Sequence, residues 1–303
     1  MKWQVILLVF LILASAALVM MKFPFGQLEK PANSSGDEQV KTAVPNWDGI
    51  DTKAPERNWG ILDPKVSAEA AIIQSLDDNF PLFRYGTNKP WPIASLTKLL
   101  TAVVTIENIG LDKKVAVSPE VMATEGEAGD LRTGETYVTR DLLKIMLMAS
   151  SNRAAAALES YLGHDQFVKA MMDKARAINM TQTAVYDGSG LNDSNISTAS
   201  DILLLLNYIL ERDPDILSYT RLANFLVQPI NSDRSHMITN IDPLVERADF
   251  LGGKTGTSAA AHQNLAAVLS FNNRRVAVIL LGSPDRFKET GDLLAWVKKA
   301  YIF

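Results

Sequence analysis

Pro92-Ile93-Ala94-Ser95-Leu96-Thr97-Lys98 is a short polar lead-in to an apolar helix. Apolar residues continue beyond it at helical spacing with Leu96, and these are Leu99, Leu100, Val103, Val104 and Ile106. Pro92 lies where it can end the preceding strand or loop. The pattern therefore places Ser95 at or near the N-terminus of a helix, with Lys98 about one turn later on the same face.

The pair Ser95 and Lys98 has two interpretations. Serine is a favoured N-cap, which would make Ser95 purely structural. A capping box, however, has Glu or Gln in place of Lys98, and the helix dipole disfavours a cation in the first turn by roughly a few tenths of a kcal/mol. A lysine that the local field opposes can instead lose its proton and serve as a base. Ser95 would then be a nucleophile, and the positive helix end would stabilise the developing oxyanion.

Composition excludes several classes of protein and site. The 303 residues carry a net charge of −4, which gives no global basic surface for nucleic acid. The sequence contains no cysteine, so disulfides, zinc–thiolate sites and thiol nucleophiles are excluded. The three histidines, His164, His236 and His262, lack the HExxH spacing, and we expect no metal and no cofactor.

The first 58 residues form two segments. Residues 1–22 hold an apolar run of about nineteen residues, enough for a helix of about 28 Å, which is close to the hydrocarbon thickness of a membrane. We predict an N-terminal transmembrane anchor, with a cleaved signal peptide as the alternative because Ala14-Ser15-Ala16 offers a cleavage site. Residues 23–58 are rich in Pro, Asn, Ser and Gly, which predicts a flexible linker.

Residues 59–303 are predicted to form one globular domain, with strands at both ends and helices between them. The predicted strands are 66–76, 80–85, 250–258, 265–271 and 276–281, the last two joined by a hairpin at 272–275. The predicted helices are 95–109, 139–148, 153–162, 164–178, 199–211 and 286–300. We therefore predict an α+β (α/β) fold, in which helices flank one antiparallel sheet and form a helical subdomain.

Three short motifs follow one another along the chain: Ser95-x-x-Lys98, Ser150-x-Asn152 and Lys254-Thr255-Gly256. The second interrupts a helical pattern, so it is either an exposed polar pair or a capped turn between two helices. The third lies on a predicted strand after two glycines, where a ligand can approach the backbone closely. Its alternative is an edge strand that a lysine protects. Each motif is weak alone, but the ordered set occurs in penicillin-binding proteins and class A β-lactamases.

On these residues the sequence resembles the serine D-alanyl-D-alanine carboxypeptidases, the low-molecular-mass penicillin-binding proteins of peptidase family S11. The resemblance covers residues 64–300 and includes Asp187-Gly188-Ser189-Gly190-Leu191-Asn192 besides the three motifs. It implies the transpeptidase fold shared by penicillin-binding proteins and β-lactamases, so that residues 59–303 would be a serine D,D-peptidase domain. Arg153 departs from the pattern, since relatives often carry an acidic residue there, and leaves substrate preference open. Asp187-Gly188-Ser189-Gly190 does not match G-x-S-x-G and is interpreted as a turn.

The resemblance implies roles for the catalytic residues. Ser95 would be the acylated nucleophile, Lys98 its general base and Ser150 a proton relay. The backbone N–H groups of Ser95 and Thr257 would form the oxyanion hole, which agrees with the need of a tetrahedral oxyanion for preorganised donors.

It also implies a substrate-binding set. Asn152 would hold the amide of the substrate, and Lys254 and Thr255 would bind its terminal carboxylate. Gly256 and Thr257 continue the same strand of the binding site. The two lysines of the motifs would lower the pKa of each other, which helps the base to be neutral near pH 7.

The implied substrate is a peptidoglycan stem peptide that ends in D-Ala-D-Ala, and β-lactam antibiotics would be covalent inhibitors. We expect no nucleic-acid partner. The membrane would be a partner through the N-terminal segment, which places the enzyme on the extracytoplasmic face of the bacterial cell membrane, either anchored or secreted.

Three other functions stay open. A D,D-endopeptidase of the same family would cut cross-links with the same residues. A class A β-lactamase needs a glutamate in an E-x-x-L-N segment for deacylation, and no such segment occurs. A non-catalytic penicillin-binding wall protein would keep the fold without turnover.

Overall fold

The structure, a computed structural model, describes residues 54–303. Their strands are β1 (Glu56–Arg57), β2 (Ala70–Ser75), β3 (Pro81–Tyr85), β4 (Trp91–Pro92), β5 (Lys114–Ala116), β6 (Thr136–Val138), β7 (Ile196–Ser197), β8 (Asn224–Val227), β9 (His236–Thr239), β10 (Phe250–Ser258), β11 (His262–Phe271), β12 (Arg274–Ser283) and β13 (Tyr301–Ile302). Their helices are α1 (Thr97–Asn108), α2 (Pro119–Met122), α3 (Thr139–Met148), α4 (Asn152–Leu162), α5 (His164–Ala177), α6 (Ala199–Arg212), α7 (Asp215–Thr220) and α8 (Arg286–Ala300). Two short 3₁₀ turns are Ala94–Leu96 and Pro243–Glu246.

A five-stranded antiparallel sheet in the order β10-β11-β12-β2-β3 forms the centre of the fold. β12, near the C-terminus, pairs with β2, near the start of the domain, so both ends of the domain contribute strands to the sheet. Asn272 and Asn273 connect β11 to β12 with φ angles of 48° and 55°, the left-handed conformation that tight hairpins favour. β10 is an edge strand, and its outer edge faces the site described below.

Helices cover both faces of the sheet. Ile72 belongs to the core that contains α1 and α3, whereas its neighbour Ile73 belongs to the core under α8. Successive residues of a strand point to opposite faces, so β2 contributes to both cores. A strand covered on both sides is apolar almost throughout, as β12 is.

The helix α1 runs through the larger core. Every residue from Thr97 to Thr105 is buried, including the polar Lys98 and three threonines. The predicted strands and helices are all present, with ends that differ by a few residues. The prediction of an α+β fold, with an antiparallel sheet flanked by helices, is confirmed.

Several short elements are absent from the prediction. The hairpin β8–β9 joins two four-residue strands by a long connection without a tight-turn signal, and the six-residue α7 is too short for a clear periodicity. The paired strands β5 and β6 enclose α2 in a stretch that the sequence indicates only as loops with short strands.

The predicted N-terminal anchor or signal peptide, residues 1–22, lies outside the described residues. Residues 23–53 of the predicted linker do so too. Between residues 54 and 303, no helix has the length and apolar character needed to cross a membrane.

Candidate active site

Ser95 lies in the 3₁₀ turn that immediately precedes α1. Its neighbour Ala94 has a φ of 46°, an uncommon conformation for a residue with a side chain. Neither the turn nor α1 begins with a side-chain cap. The Oγ atom of Ser95 lies 3.0 Å from Nζ of Lys98. The capping interpretation of Ser95 is therefore wrong, and its hydroxyl interacts with Lys98 instead.

Lys98 forms hydrogen bonds with three oxygen atoms. Its Nζ lies 2.7 Å from Oδ1 of Asn152 and 3.0 Å from Oγ of Ser95, and it also donates to the backbone carbonyl of Ser189. The amide oxygen and the carbonyl oxygen can only accept. A neutral amine has two N–H donors and one lone pair, so these two acceptors occupy both donors. The lone pair of a neutral Lys98 is then left for the Ser95 hydroxyl, as general-base catalysis requires, whereas a charged Lys98 would donate its third N–H to Oγ.

The surroundings of Lys98 favour its neutral form. The side chain is fully buried, and burial lowers the pKa of its amine well below the ordinary 10.5. The positive charge of Lys254 lowers this pKa further, whereas Asp187 raises it. The effect of the second lysine, which the sequence predicts, is present at Lys98, but burial is the larger cause.

The turn between α3 and α4 carries Ser150 and Asn152. Ser151, between them, is the N-cap of α4 and accepts a backbone N–H at 3.1 Å. Ser151 therefore caps the N-terminus of α4, and the Asn152 side chain contacts Lys98. The Nδ2 atom of Asn152 donates to the carbonyl of Glu125 at 3.1 Å. This contact fixes the amide so that its oxygen faces the amine.

The edge strand β10 passes directly beside Ser95. A Cβ atom at Gly256 would lie 2.8 Å from the carbonyl oxygen of Ile93 and 3.2 Å from the amide nitrogen of Ser95. Only glycine lets the two backbones approach this closely. The edge of β10 at Gly256 and Thr257 therefore adjoins the Ser95 amide, where two backbone N–H groups can converge on one oxyanion.

Lys254 is a buried residue of β10. Its side chain is only 2% exposed, so it does not protect an exposed strand edge from solvent. Its Nζ donates to the carbonyl of Thr255 at 2.9 Å. Burial lowers the pKa of Lys254 from 10.5 to about 7, the Asp242 carboxylate opposes this shift, and Arg286 adds to it. An anionic group beside Lys254 would favour its charged form.

Arg286, the first residue of α8, is a site residue that the sequence analysis does not find. Its Nη1 donates to the carbonyl of Gly256 and to Oγ1 of Thr257, both at 2.8 Å. Buried Asp242 acts on both Arg286 and Lys254 through its charge. An arginine at the start of an amphipathic helix carries no local signal, because only the folded arrangement brings the first residue of α8 to β10.

The segment Asp187-Gly188-Ser189-Gly190 forms a tight loop and also reaches the site. The Asp187 carboxylate accepts hydrogen bonds from the N–H groups of Ser189, Gly190 and Asn192 and from the Ser189 hydroxyl. These bonds shape the loop whose Ser189 carbonyl accepts from Lys98. The segment is therefore the predicted turn, but it also contacts the Lys98 amine. A backbone carbonyl makes this contact, so no residue type in the sequence could indicate it.

The predicted site residues come together to different degrees. Hydrogen bonds join Ser95, Lys98 and Asn152, and β10 brings residues 254–257 beside them. Ser150 lies in the same turn as Asn152, but no side-chain hydrogen bond among the described residues joins it to Ser95 or Lys98. Its place in proton transfer stays a prediction.

The arrangement supports acyl transfer. A hydroxyl lies beside a buried amine, two backbone N–H groups adjoin it, and a buried cation lies on the neighbouring strand. Among residues 54–303, no three His, Asp or Glu side chains are grouped so that they could hold a metal ion.

Comparisons of this chain with a family model and with known relatives indicate the same family. The model of peptidase family S11, described as D-alanyl-D-alanine carboxypeptidase, matches residues 58–285. The chain is 31% identical to the D-alanyl-D-alanine endopeptidase of Escherichia coli K12 over 255 residues, 79% of this chain and 80% of that protein. It is 27% identical to the D-alanyl-D-alanine carboxypeptidase DacB2 of Mycobacterium tuberculosis over 244 residues, 77% of this chain and 83% of that protein.

Solved structures agree. The crystal structure of a D-alanyl-D-alanine carboxypeptidase from Mycobacterium tuberculosis H37Rv superimposes with a TM-score of 0.72 at 25% identity, over 83% of this chain and 96% of that chain. A mutant of the Streptomyces K15 DD-transpeptidase has the same fold, with a TM-score of 0.72 at 19% identity over 78% of this chain and all of that one. The fold predicted from the resemblance is therefore confirmed.

Proposed function

Because the chain belongs to peptidase family S11, the D-alanyl-D-alanine carboxypeptidases, we propose that it hydrolyses the terminal D-Ala-D-Ala bond of peptidoglycan stem peptides through an acyl-enzyme on Ser95. The family predicted from the three sequence motifs is confirmed. The observation that carries the proposal is the contact of Nζ of Lys98 with Oγ of Ser95 at 3.0 Å, in a buried setting that lowers the pKa of the amine well below its ordinary 10.5.

Acylation follows from this geometry. Neutral Lys98 takes the Ser95 proton while Oγ attacks the carbonyl carbon of the penultimate D-Ala. The negative charge moves to the carbonyl oxygen, which the N–H groups of Ser95 and Thr257 would hold. The C–N bond then breaks, and the leaving amine of the terminal D-Ala takes the proton from Lys98, with Ser150 as the relay. An ester on Ser95 and free D-alanine result.

Deacylation uses the same base. Lys98, neutral again, removes a proton from a water molecule as its oxygen attacks the ester carbon. Oγ of Ser95 leaves and regains a proton from Lys98. The enzyme returns to its starting state and the stem peptide is released one residue shorter.

Substrate binding involves the remaining predicted residues. Lys254 and the Thr255 hydroxyl would bind the terminal carboxylate, which in turn favours the charged form of Lys254. Asn152 would bind the substrate amide from the opposite wall. Gly256 lets the substrate lie against the backbone of β10, as an added strand does at a sheet edge.

Labelling with a fluorescent penicillin tests the proposal, because a β-lactam acylates the same hydroxyl. We expect the wild type to be labelled covalently and Ser95→Ala to remain unlabelled. If Ser95→Ala were labelled as strongly as the wild type, the assignment of Ser95 as the nucleophile would be wrong. Rapid turnover of a chromogenic cephalosporin would favour the β-lactamase alternative instead, and a complete lack of adduct would favour the non-catalytic one.

A D,D-endopeptidase is the second candidate. The supporting observation is the 31% identity to an endopeptidase, which spans 80% of that relative. Product analysis on a pentapeptide and on a cross-linked dimer separates the two activities. Release of D-alanine from the pentapeptide without cleavage of the dimer supports the carboxypeptidase. Conversion of the dimer to monomers supports the endopeptidase.

We further propose that the enzyme works outside the cytoplasm, held at the membrane by residues 1–22 and separated from it by the linker 23–58. The apolar length of the first segment supports this proposal. N-terminal sequencing of the mature protein, together with membrane fractionation, tests it. A mature chain that begins after Ala16 and remains in the soluble fraction would contradict the anchor.

A further inference from the structure

Helix α4 contacts the site a second time, about two turns after Asn152. Oε2 of Glu159 accepts a hydrogen bond from the Gly188 N–H at 2.7 Å. The Glu159 side chain is only 15% exposed. Glu159 has no part in the proposed acylation and deacylation steps, and carboxylates are seldom buried to this extent without a partner to bind.

The backbone of Gly188 is held from two helices. Its N–H is held by Glu159 on α4, and its carbonyl accepts from Oγ1 of Thr101 on α1 at 2.6 Å. A Cβ atom at Gly188 would lie 3.1 Å from the carboxylate and 3.4 Å from the threonine oxygen, so a side chain would crowd both contacts. The next carbonyl along the chain, that of Ser189, accepts from Lys98. The Gly188 anchors therefore hold the chain immediately before the Ser189 carbonyl.

Bonds within the loop do not replace the contact with Glu159. The Asp187 carboxylate binds N–H groups of its own loop, so it shapes the loop without tying it to a helix. Glu159 ties the loop to α4, the helix that also carries Asn152. Glu159 therefore links the loop that carries the Ser189 carbonyl to the helix that carries Asn152, the other acceptor of the Lys98 amine.

The Glu159 carboxylate is held from its solvent side as well. Nδ1 of His164 lies 2.6 Å from Oε1, and the His164 side chain is 60% exposed. With Oε1 occupied by His164, Oε2 is directed at Gly188. Supporting contacts of this kind keep functional groups within a fraction of an ångström of their working positions.

We infer that Glu159 is a positioning residue for acylation, which holds the Ser189 carbonyl against Lys98 so that the lone pair of the amine faces Ser95. The inference rests on the proposed function, because Lys98 must act as the base. Glu159 is hydrogen-bonded to the loop only through the Gly188 N–H, so an uncharged acceptor of the same shape should replace it.

The test compares the full-length wild type with Glu159→Gln and Glu159→Leu in the rate of labelling by a fluorescent penicillin. Glutamine keeps an acceptor for the Gly188 N–H, whereas leucine has a similar size and no acceptor. We expect Glu159→Gln to label within about threefold of the wild type and Glu159→Leu to label about 10- to 100-fold more slowly. The concentration at which labelling saturates should be the same in all three, since the contact does not touch the penicillin.

Glu107→Leu is the matched control. Glu107 is a partly buried carboxylate on α1 that pairs with Lys174 between two helices and has no tie to the loop. We expect it to lower the melting temperature as much as Glu159→Leu does, but to leave the labelling rate unchanged. Equal labelling by the wild type and Glu159→Leu would overturn this inference alone. Equally slow labelling by Glu159→Gln and Glu159→Leu would do the same, and an unlabelled wild type would overturn the proposed function as well.

Discussion

A 2.7 Å hydrogen bond from Nζ to Oδ1 joins Lys98 to Asn152, although 54 positions separate them in the chain. The Asn152 amide presents its oxygen to the amine because its nitrogen donates to the Glu125 carbonyl. The middle motif therefore completes the surroundings of the base in the resting enzyme, besides any contact that it makes with substrate. Because of this contact, a charge at position 152 would change the pKa of Lys98.

We predict that Asn152→Asp moves the acid limb of the pH–rate profile to higher pH. A carboxylate 2.7 Å from the amine would favour its charged form and raise the pKa of Lys98, so the neutral base would form only at higher pH. Labelling by penicillin near pH 7 should fall about 10- to 100-fold and recover in part as the pH increases. Penicillin labelling rates between pH 5 and 10 measure the effect.

Asn152→Ala is the control for this variant. It removes the acceptor without adding a charge, so the labelling rate should fall at every pH and the acid limb should not move to higher pH. Coincident acid limbs for the wild type and Asn152→Asp would contradict the coupling between Asn152 and Lys98.

A second prediction concerns Lys254 and the alkaline limb of the pH–rate profile. The pKa of Lys254 is about 7 in the free enzyme, so its positive charge is present below that pH and is lost above it. If Lys254 binds the substrate carboxylate, kcat/KM for a D-Ala-D-Ala peptide should fall as the pH rises beyond about 7. In Lys254→Arg the cation stays charged, so this alkaline limb should disappear even if the maximal rate is lower. An unchanged alkaline limb in Lys254→Arg would assign the titration to another group.

The same lysine should make stability depend on pH. Its folded pKa of about 7 lies below its ordinary value of 10.5, so between these values the unfolded chain binds more protons than the folded one. The free energy of unfolding should therefore rise with pH in this window, by up to about 1.4 kcal/mol per pH unit for this group. Denaturant unfolding at pH 7, 8 and 9 measures the slope. Lys254→Met should show a smaller slope, and equal slopes would contradict a neutral buried lysine in the folded state.

The fold was predictable because its elements have long and regular patterns. α1 keeps an apolar residue at nearly every turn from Leu96 to Ile106, and β12 is almost continuously apolar. Asn272 and Asn273 indicate the hairpin between β11 and β12, since asparagine tolerates the left-handed conformation that the turn requires. The hairpin β8–β9 could not be predicted, because its strands have only four residues each and a long connection without a tight-turn signal joins them.

The site was predictable where side chains carry the chemistry. Ser95, Lys98 and Asn152 are chemically distinctive and keep fixed spacings within their motifs. The Ser189 carbonyl and the Glu125 carbonyl were not predictable, since every residue has a backbone carbonyl and only the fold decides which one meets a side chain. Arg286 was missed for the related reason that its contact with Thr257 joins two elements that the sequence does not connect.

The final prediction tests the close approach of β10 to the nucleophile. In Gly256→Ala the new methyl group would lie 2.8 Å from the Ile93 carbonyl and 3.2 Å from the Ser95 amide, so β10 must move away from the 3₁₀ turn. Displacing the Thr257 N–H from the oxyanion position should slow penicillin labelling about 100-fold or more. Gly291→Ala is the matched control, because Gly291 lies within α8 and nothing lies within 4 Å of an added Cβ. It should label at the wild-type rate and raise the free energy of unfolding by about 0.5–1 kcal/mol. Labelling of Gly256→Ala at the wild-type rate would show that β10 does not supply the oxyanion hole.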